Sequence, residues 1–353
     1  MEKARVSGHR RNIRAIAEIC EVSPATVSRV LNNKPDVSDQ IRKKILDAIK
    51  EHNYSPRLSV SQTEILGVTL EYSRAFSSPY VSAIFESMED TAFDLGYDLL
   101  ILRNEKLRRL VDDYSIFLRR KMLSGIIILL SKIEDTFPVD IAQAGFPHMV
   151  IGNRFDPPVN WIGGDCYTGM YEATRYLISL GHSRIAYIRH SPLYWDNQQR
   201  VRGYRDALEQ ANIPFAENMV RELVGEDVIA AAYNTLNNLF YSCPGITALI
   251  TPNWDMLGIY ECLREHGLRI PDDISVVALD DSPDMEHASP SITTVAQRIQ
   301  QMGEFAVREV VKQIESPEEA AKIRRVVLPT ELIIRESTRP LNSGVITASA
   351  AHN

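Results

Sequence analysis

At 353 residues, with 44% hydrophobic and 24% charged side chains, the chain has the composition of a globular protein large enough for two or three folding units. It holds no run of about 18 apolar residues and no signal-peptide layout, and its four cysteines (Cys20, Cys166, Cys243, Cys262) form no Cys-x-x-Cys pair; membrane, exported, disulfide-framed and zinc-cluster classes are disfavoured and a cytoplasmic location is expected. The net charge of −7 is uneven: residues 1–58 carry 12 Lys+Arg against 7 Asp+Glu, a surplus of +5 that leaves −12 for the remainder, the asymmetry of a small domain that meets a polyanion or, more plainly, of a solvated charged face.

Residues 1–11 form a basic tail, expected either to lie on phosphates or to be disordered. In NIRAIAEIC, residues Ile13, Ile16, Ala17 and Cys20 fall at i, i+3, i+4 and i+7, one face of a helix with Asn12 as its N-cap. Ser23 can cap a second helix with Pro24 at its first position, and Val27, Val30 and Leu31 form its buried stripe. Pro24, Ala25, Thr26, Ser28 and Arg29 are left facing outward, a poor surface for water and a good one for a groove. Small residues allow close approach, hydroxyls reach phosphates, and an arginine fork can hold guanine O6 and N7. Ser38 can cap a third helix with Ile41, Ile45, Leu46 and Ile49 inward and Arg42, Lys43 and Lys44 outward. Residues 12–56 therefore read as a small all-α helix-turn-helix DNA-binding domain.

The stretch IAEICEVSPATVSRVLNNKPDVSDQIRKKILDAIKEHNYSP resembles the DNA-binding head of the LacI/GalR transcriptional regulators, including their Val-Ser-x-x-Thr-Val-Ser-Arg-Val-Leu-Asn core. The resemblance implies that Pro24, Ala25 and Arg29 read bases. It implies that Ser23, Thr26, Ser28 and Asn32 contact the DNA backbone or support the second helix, with Asn12 and Tyr54 joining the DNA-contacting set. Two departures stand out. Glu21 occupies the turn position where the family has glycine, so a positive φ there would strain it. Tyr54 and Gly67 are 13 positions apart, fewer than the family places there, and Leu58 comes too early to be the leucine that wedges into the minor groove. Residues 57–63 are expected to be a shortened linker with a reduced or absent hinge helix.

Over residues 64–338, ILGVTL, YDLLIL and GIIILL alternate with SAIFESMEDTAFDLG and LVDDYSIFLRRKM. A second series runs RIAYIR, RGYRDALEQAN, ITALIT, MLGIYECLREHG and ISVVALD. The βαβ rhythm predicts α/β architecture, two Rossmann-like parallel-sheet subdomains with ligand chemistry beyond the carboxyl ends of the strands. SLGHSRIAYI, RVRGYRDAL, GLRIPDDISVVALDD and PSITTV are similar to the effector domain of the same family, itself of periplasmic-binding-protein type. The resemblance implies that Arg200 and Asp280 grip an effector, with Asn253 in place of an aspartate, Asp165 at an Asp-x-x-x-Gly site and Tyr80 after Pro79. Trp195, or Tyr194 beside it, is expected to stack on the ligand. The plainer alternatives are that Asp165 and Asn253 cap helices and that the aromatics merely pack.

No Walker-A loop, Gly-x-Gly-x-x-Gly, Gly-x-Ser-x-Gly or His-x-x-His pattern is present, so neither an enzyme nor a cofactor is expected. His182 is expected to serve a helix C-terminus rather than to act as a base. The sequence predicts a homodimeric regulator of a near-palindromic operator, a repressor of carbohydrate-utilisation genes controlled by a small ligand, a sugar in the interlobe cleft. A protein partner, a non-sugar metabolite or a sugar-binding role without DNA are the alternatives. Residues 339–353 are expected to be a disordered tail.

Overall fold

In the computed structural model, which describes residues 13–31, 37–51, 64–70, 75–104, 107, 114–225 and 227–341, three short helices occupy the positions that the apolar spacing predicts. They run Ile13–Ile19, Pro24–Leu31 and Asp39–Glu51. Ile16, Ala17, Cys20, Val27, Val30, Leu31, Ile45 and Ile49 close one small core, completed by Val37 and Ala48. Ile41, expected to face inward, is 37% exposed; Val37, ahead of the helix, fills the end of the core instead. Asn12, Asn32, Tyr54, Leu58, the 57–63 linker, the 1–11 tail and residues 342–353 lie outside the described residues.

Glu21 has φ 54°. The preceding helix ends with the Val22 N–H donating to the Ala17 carbonyl at 2.9 Å, a closure that sets the residue before it in the left-handed region where glycine is at ease. Glutamate there costs roughly 1 kcal/mol, partly offset by the entropy that glycine would add to the unfolded chain. Glu21→Gly should therefore slow amide exchange across helix Ile13–Ile19. Unchanged exchange would show an unstrained turn.

Contacts divide the chain into one unit of residues 1–64 and 112–124 and a second of residues 65–111 and 125–353. The helix expected in LVDDYSIFLRRKM is found at Tyr114–Arg120, in the first unit rather than in the body.

The second unit holds two six-stranded sheets. Strands β1 (Ile65–Leu70), β2 (Asp98–Arg103), β3 (Gly125–Leu129), β4 (His148–Ile151), β5 (Trp161–Gly164), β6 (Ile185–Arg189), β7 (Val220–Glu222), β8 (Ala248–Pro252), β9 (Ser275–Leu279), β10 (Thr293–Ala296), β11 (Arg325–Leu328) and β12 (Glu331–Ile333) follow in chain order. The N-terminal lobe is ordered β11-β5-β4-β3-β1-β2 and the C-terminal lobe β12-β10-β9-β8-β6-β7. All pairings are parallel except β10 with β12. The central runs GIIIL and SVVAL are buried on both faces because helices cover both sides of such a sheet. Edge strand β2 departs from this pattern, with Leu100 and Ile101 exposed.

Helix Ile299–Glu315 carries Met302, Ala306, Val307 and Val310 into the N-terminal core beside Val81, Ile84 and Met88, although it follows the strands of the C-terminal lobe. The chain thus passes between the lobes three times, after β5, after β10 and between β11 and β12. The crossings are stitched together. The Asp165 N–H donates to the Leu328 carbonyl at 2.8 Å and the Thr330 hydroxyl to the Asp165 carbonyl at 3.2 Å, while a Cβ on Gly164 would come within 2.3 Å of Gln297 Oε1.

His182 serves the end of helix Cys166–Ser179 through its backbone, the N–H donating to the Leu177 carbonyl at 3.1 Å, while its side chain is engaged elsewhere. It is buried and its ring nitrogens pair with the Thr247 hydroxyl at 3.0 Å and the Ser275 hydroxyl at 3.0 Å. Residues 339–341, expected in the tail, run against the C-terminal lobe: Arg339 meets Asp272 at 2.7 Å and the Leu341 N–H donates to the Leu180 carbonyl at 2.7 Å. Among the described residues no helix is long and apolar enough to cross a membrane.

Candidate functional site

The head presents the second helix as its polar face. The Ser23 hydroxyl accepts from the Thr26 N–H at 3.0 Å and pairs with the Thr26 hydroxyl at 2.8 Å, so both side chains are engaged in starting the helix. Pro24, Ala25 and Arg29 are exposed, Thr26 and Ser28 half-buried.

In the two-lobed unit a cavity of about 720 Å³ opens beyond the carboxyl ends of the strands, where open α/β sheets take ligands. Its wall includes Tyr80 from helix Pro79–Asp94, Leu130 and Ser131 after β3, Gly152 after β4, and His190 and Ser191 after β6. Asp196, Asn197 and Arg200 come from helix Trp195–Gln210, Asn253 and Trp254 from the turn after β8, Asp280 from the end of β9, and Gln297 from the crossing after β10.

At its centre Arg200 and Asp280, each 8% exposed, form a buried pair. Arg200 Nη2 lies 3.2 and 3.5 Å from the two carboxylate oxygens, and Gln297 Nε2 donates to Asp280 Oδ1 at 2.6 Å. Asp280 sits at φ 66°, a left-handed conformation unusual for a residue with a Cβ, held by its N–H donating to the Val295 carbonyl at 3.0 Å. Burial disfavours the charge on Arg200, and neighbouring Asp280 more than restores it. Burial, with the Arg200 charge acting the same way, lowers the His190 pKa to about 4, so that imidazole is neutral near pH 7.

Tyr80, Arg200, Asn253 and Asp280 of the expected effector set thus share one wall. Asp165 and Trp195 do not. Asp165 caps helix Cys166–Ser179, accepting from the Thr168 N–H at 3.2 Å and the Thr168 hydroxyl at 2.7 Å. Trp195 turns away because five helical positions from Arg200 is about 140° around the axis; it stacks on Arg154, whose guanidinium lies 5.6 Å from the Trp195 ring and 5.1 Å from Trp161. Tyr194 and Trp254 supply the aromatic wall in its place. Asp196, Gln297 and His190 are additions that the sequence reading lacked. Asp196 was legible in principle, since four positions before Arg200 is the same helix face.

Residues 12–57 match the family of bacterial regulatory proteins of the lacI type, and residues 174–338 match a periplasmic binding protein-like domain. The HTH-type transcriptional regulator DegA of Bacillus subtilis is 29% identical over 339 residues, 93% of this chain and 98% of its own. The solved complex of the transcriptional regulator CelR with cellobiose superposes with a TM-score of 0.70 at 28% identity, covering 93% of this chain and all of that one. The lac repressor dimer bound to operator and the anti-inducer ONPF gives 0.67 at 25% identity, with 93% and 99% covered. The chain thus carries a lacI-family helix-turn-helix domain followed by a periplasmic-binding-protein-like domain, and it is similar from end to end to LacI-family transcription regulators.

Proposed function

We propose that the protein is an intracellular repressor of a carbohydrate-utilisation gene set, binding a near-palindromic operator as a homodimer and released from or recruited to it by a sugar held between the lobes. The observation that carries the ligand half is the convergence of Arg200, Asp280 and Asn253 on one cavity; a guanidinium, a carboxylate and an amide can make paired hydrogen bonds to neighbouring hydroxyls. Similarity to a regulator solved with cellobiose favours a sugar. Exposed Phe93, Leu100 and Ile101 supply apolar surface for a second copy, and similarity to the lac repressor dimer points the same way. Two heads related by a twofold axis read matching half-sites.

Selecting duplexes from a random library and repeating the binding with a panel of mono- and disaccharides tests both halves. A palindromic consensus whose affinity shifts with one sugar supports the reading. A consensus that no small molecule affects would replace the sugar with a protein partner. Arg29→Ala should cost about 1 to 3 kcal/mol at one base position of that consensus, and an equal loss on every sequence would make Arg29 a phosphate contact only.

A further inference from the structure

We propose that the effector carries a protonated amine, and that Asp196 is the residue that selects it by seating that amine in the cavity corner bounded by Tyr80 and Gly152. This rests on the reading of the cleft as the effector site. Asp196 and Arg200 share a helix face, yet Arg200 directs its fork to Asp280. The other nearby guanidinium, Arg154, lies over the rings of Trp161 and Trp195. Among the described residues no ion pair reaches Asp196, whereas the second carboxylate in the open wall, Asp227, is engaged by the N–H groups of Ile229 and Ala230.

The corner itself is built to receive a group. A Cβ on Gly152 would stand 3.6 Å from Asp196 Oδ2 and 3.6 Å from the Tyr80 hydroxyl, so glycine leaves the approach to both oxygens open. That hydroxyl is buried without a partner, as is Asn253 Nδ2 in the same cavity lining, on a residue only 6% exposed. A ligand hydroxyl would satisfy a lone pair of the carboxylate but leave its charge without an ion-pair partner. An ammonium supplies both hydrogen bonds and the opposite charge, and the cavity lining also holds the aromatic residues Tyr80, Tyr194 and Trp254, a residue type that suits a cation.

The titration of the site agrees. Burial raises the Asp196 pKa to about 6, with Asp280 pushing the same way and Arg200, Arg154 and the Cys166 thiol opposing. Tyr80 stays neutral because burial and these carboxylates raise its pKa, and His190, at about 4, is neutral across the same range. A cationic ligand binds the ionised form of Asp196. Its affinity therefore falls as pH drops below about 6 and the carboxyl takes up a proton, the reverse of what a neutral ligand requires.

The test is calorimetry and thermal shift on the full chain with matched pairs (glucosamine and glucose, galactosamine and galactose, mannosamine and mannose) and with the non-sugar amines agmatine and spermidine, at pH 5 and pH 7. The expected result is one amine binding about tenfold or more tightly than its uncharged counterpart at pH 7, with the preference shrinking at pH 5 and vanishing in Asp196→Asn. Asp196→Ser serves as the second variant should the first fail to fold. Equal or weaker binding by the amine in every pair, a preference that survives both variants, or silence from every compound would overturn it. Binding of plain sugars alone would sink the amine and leave the sugar reading standing. Binding of agmatine or spermidine alone, lost in the variants, would support Asp196 and sink the sugar.

Discussion

Arg200→Ala is expected to lower the stability of the two-lobed unit by about 3 to 5 kcal/mol and to abolish the response to any effector. The deletion does not simply remove one attraction. It leaves the Asp280 carboxylate buried, at a left-handed backbone position, with Gln297 as its remaining charge-stabilising donor at 2.6 Å, and an uncompensated buried charge costs far more than the pair contributes. Urea unfolding reads the loss. The control is the double variant Arg200→Ala, Asp280→Asn, which should recover a sizeable part of it, because residues that share one network are not additive. A loss below about 1 kcal/mol, typical of exposed ion pairs, would mean that water reaches the pair.

Asp255 should make the protein less stable as the pH rises. It sits between β8 and helix Met256–Glu265, is fully buried, and neither oxygen has a hydrogen bond of ordinary geometry; burial pushes its pKa to about 8, with slight relief from the Thr251 hydroxyl. The folded protein therefore keeps a proton that the unfolded chain releases near pH 4. The stability is whole below that point and declines toward pH 8 with a slope of at most about 1.4 kcal/mol per pH unit. Buried His148 and His182, together with His190, have lowered pKa values and act oppositely, raising stability until the pH has passed the unfolded value of about 6.5. The interval from about 7 to 8, where the histidine contribution is nearly complete, isolates Asp255. Asp255→Asn should flatten denaturation midpoints across it, and parallel profiles for the two proteins would show a hydrated, ionised carboxylate.

Much of this architecture can be read from residue order. Periodicity places the three head helices, and the apolar runs place β1, β3, β6, β8 and β9, because strands buried on both faces carry an uninterrupted signal; β2 is placed by its apolar run as well, although it lies at an exposed edge. Less legible are elements whose partners are remote. Helix Ile299–Glu315 belongs to the N-terminal lobe only because of how the crossings fold back, and nothing in its own sequence names that lobe. The site divides likewise. Arg200 and Asp280 follow from a motif, while Trp195 fails on helix phase and Asp165 because a carboxylate before a helix serves its first N–H groups as readily as a ligand. Gln297 gains its role solely from the crossing that brings it to Asp280.

The triple passage between the lobes also governs the order in which the protein can be made. β5 is flanked in its sheet by β11 (Arg325–Leu328), and the core of the N-terminal lobe includes helix Ile299–Glu315, so the first lobe to leave the ribosome waits for residues synthesised after nearly all of the second. Neither lobe is a finished folding unit during translation, and contacts between residues so far apart in sequence close slowly. The three head helices, by contrast, complete their core within residues 16–49. A nascent chain can thus hold a formed DNA-binding head on an unfinished, apolar body, the stage at which chaperone capture protects it best.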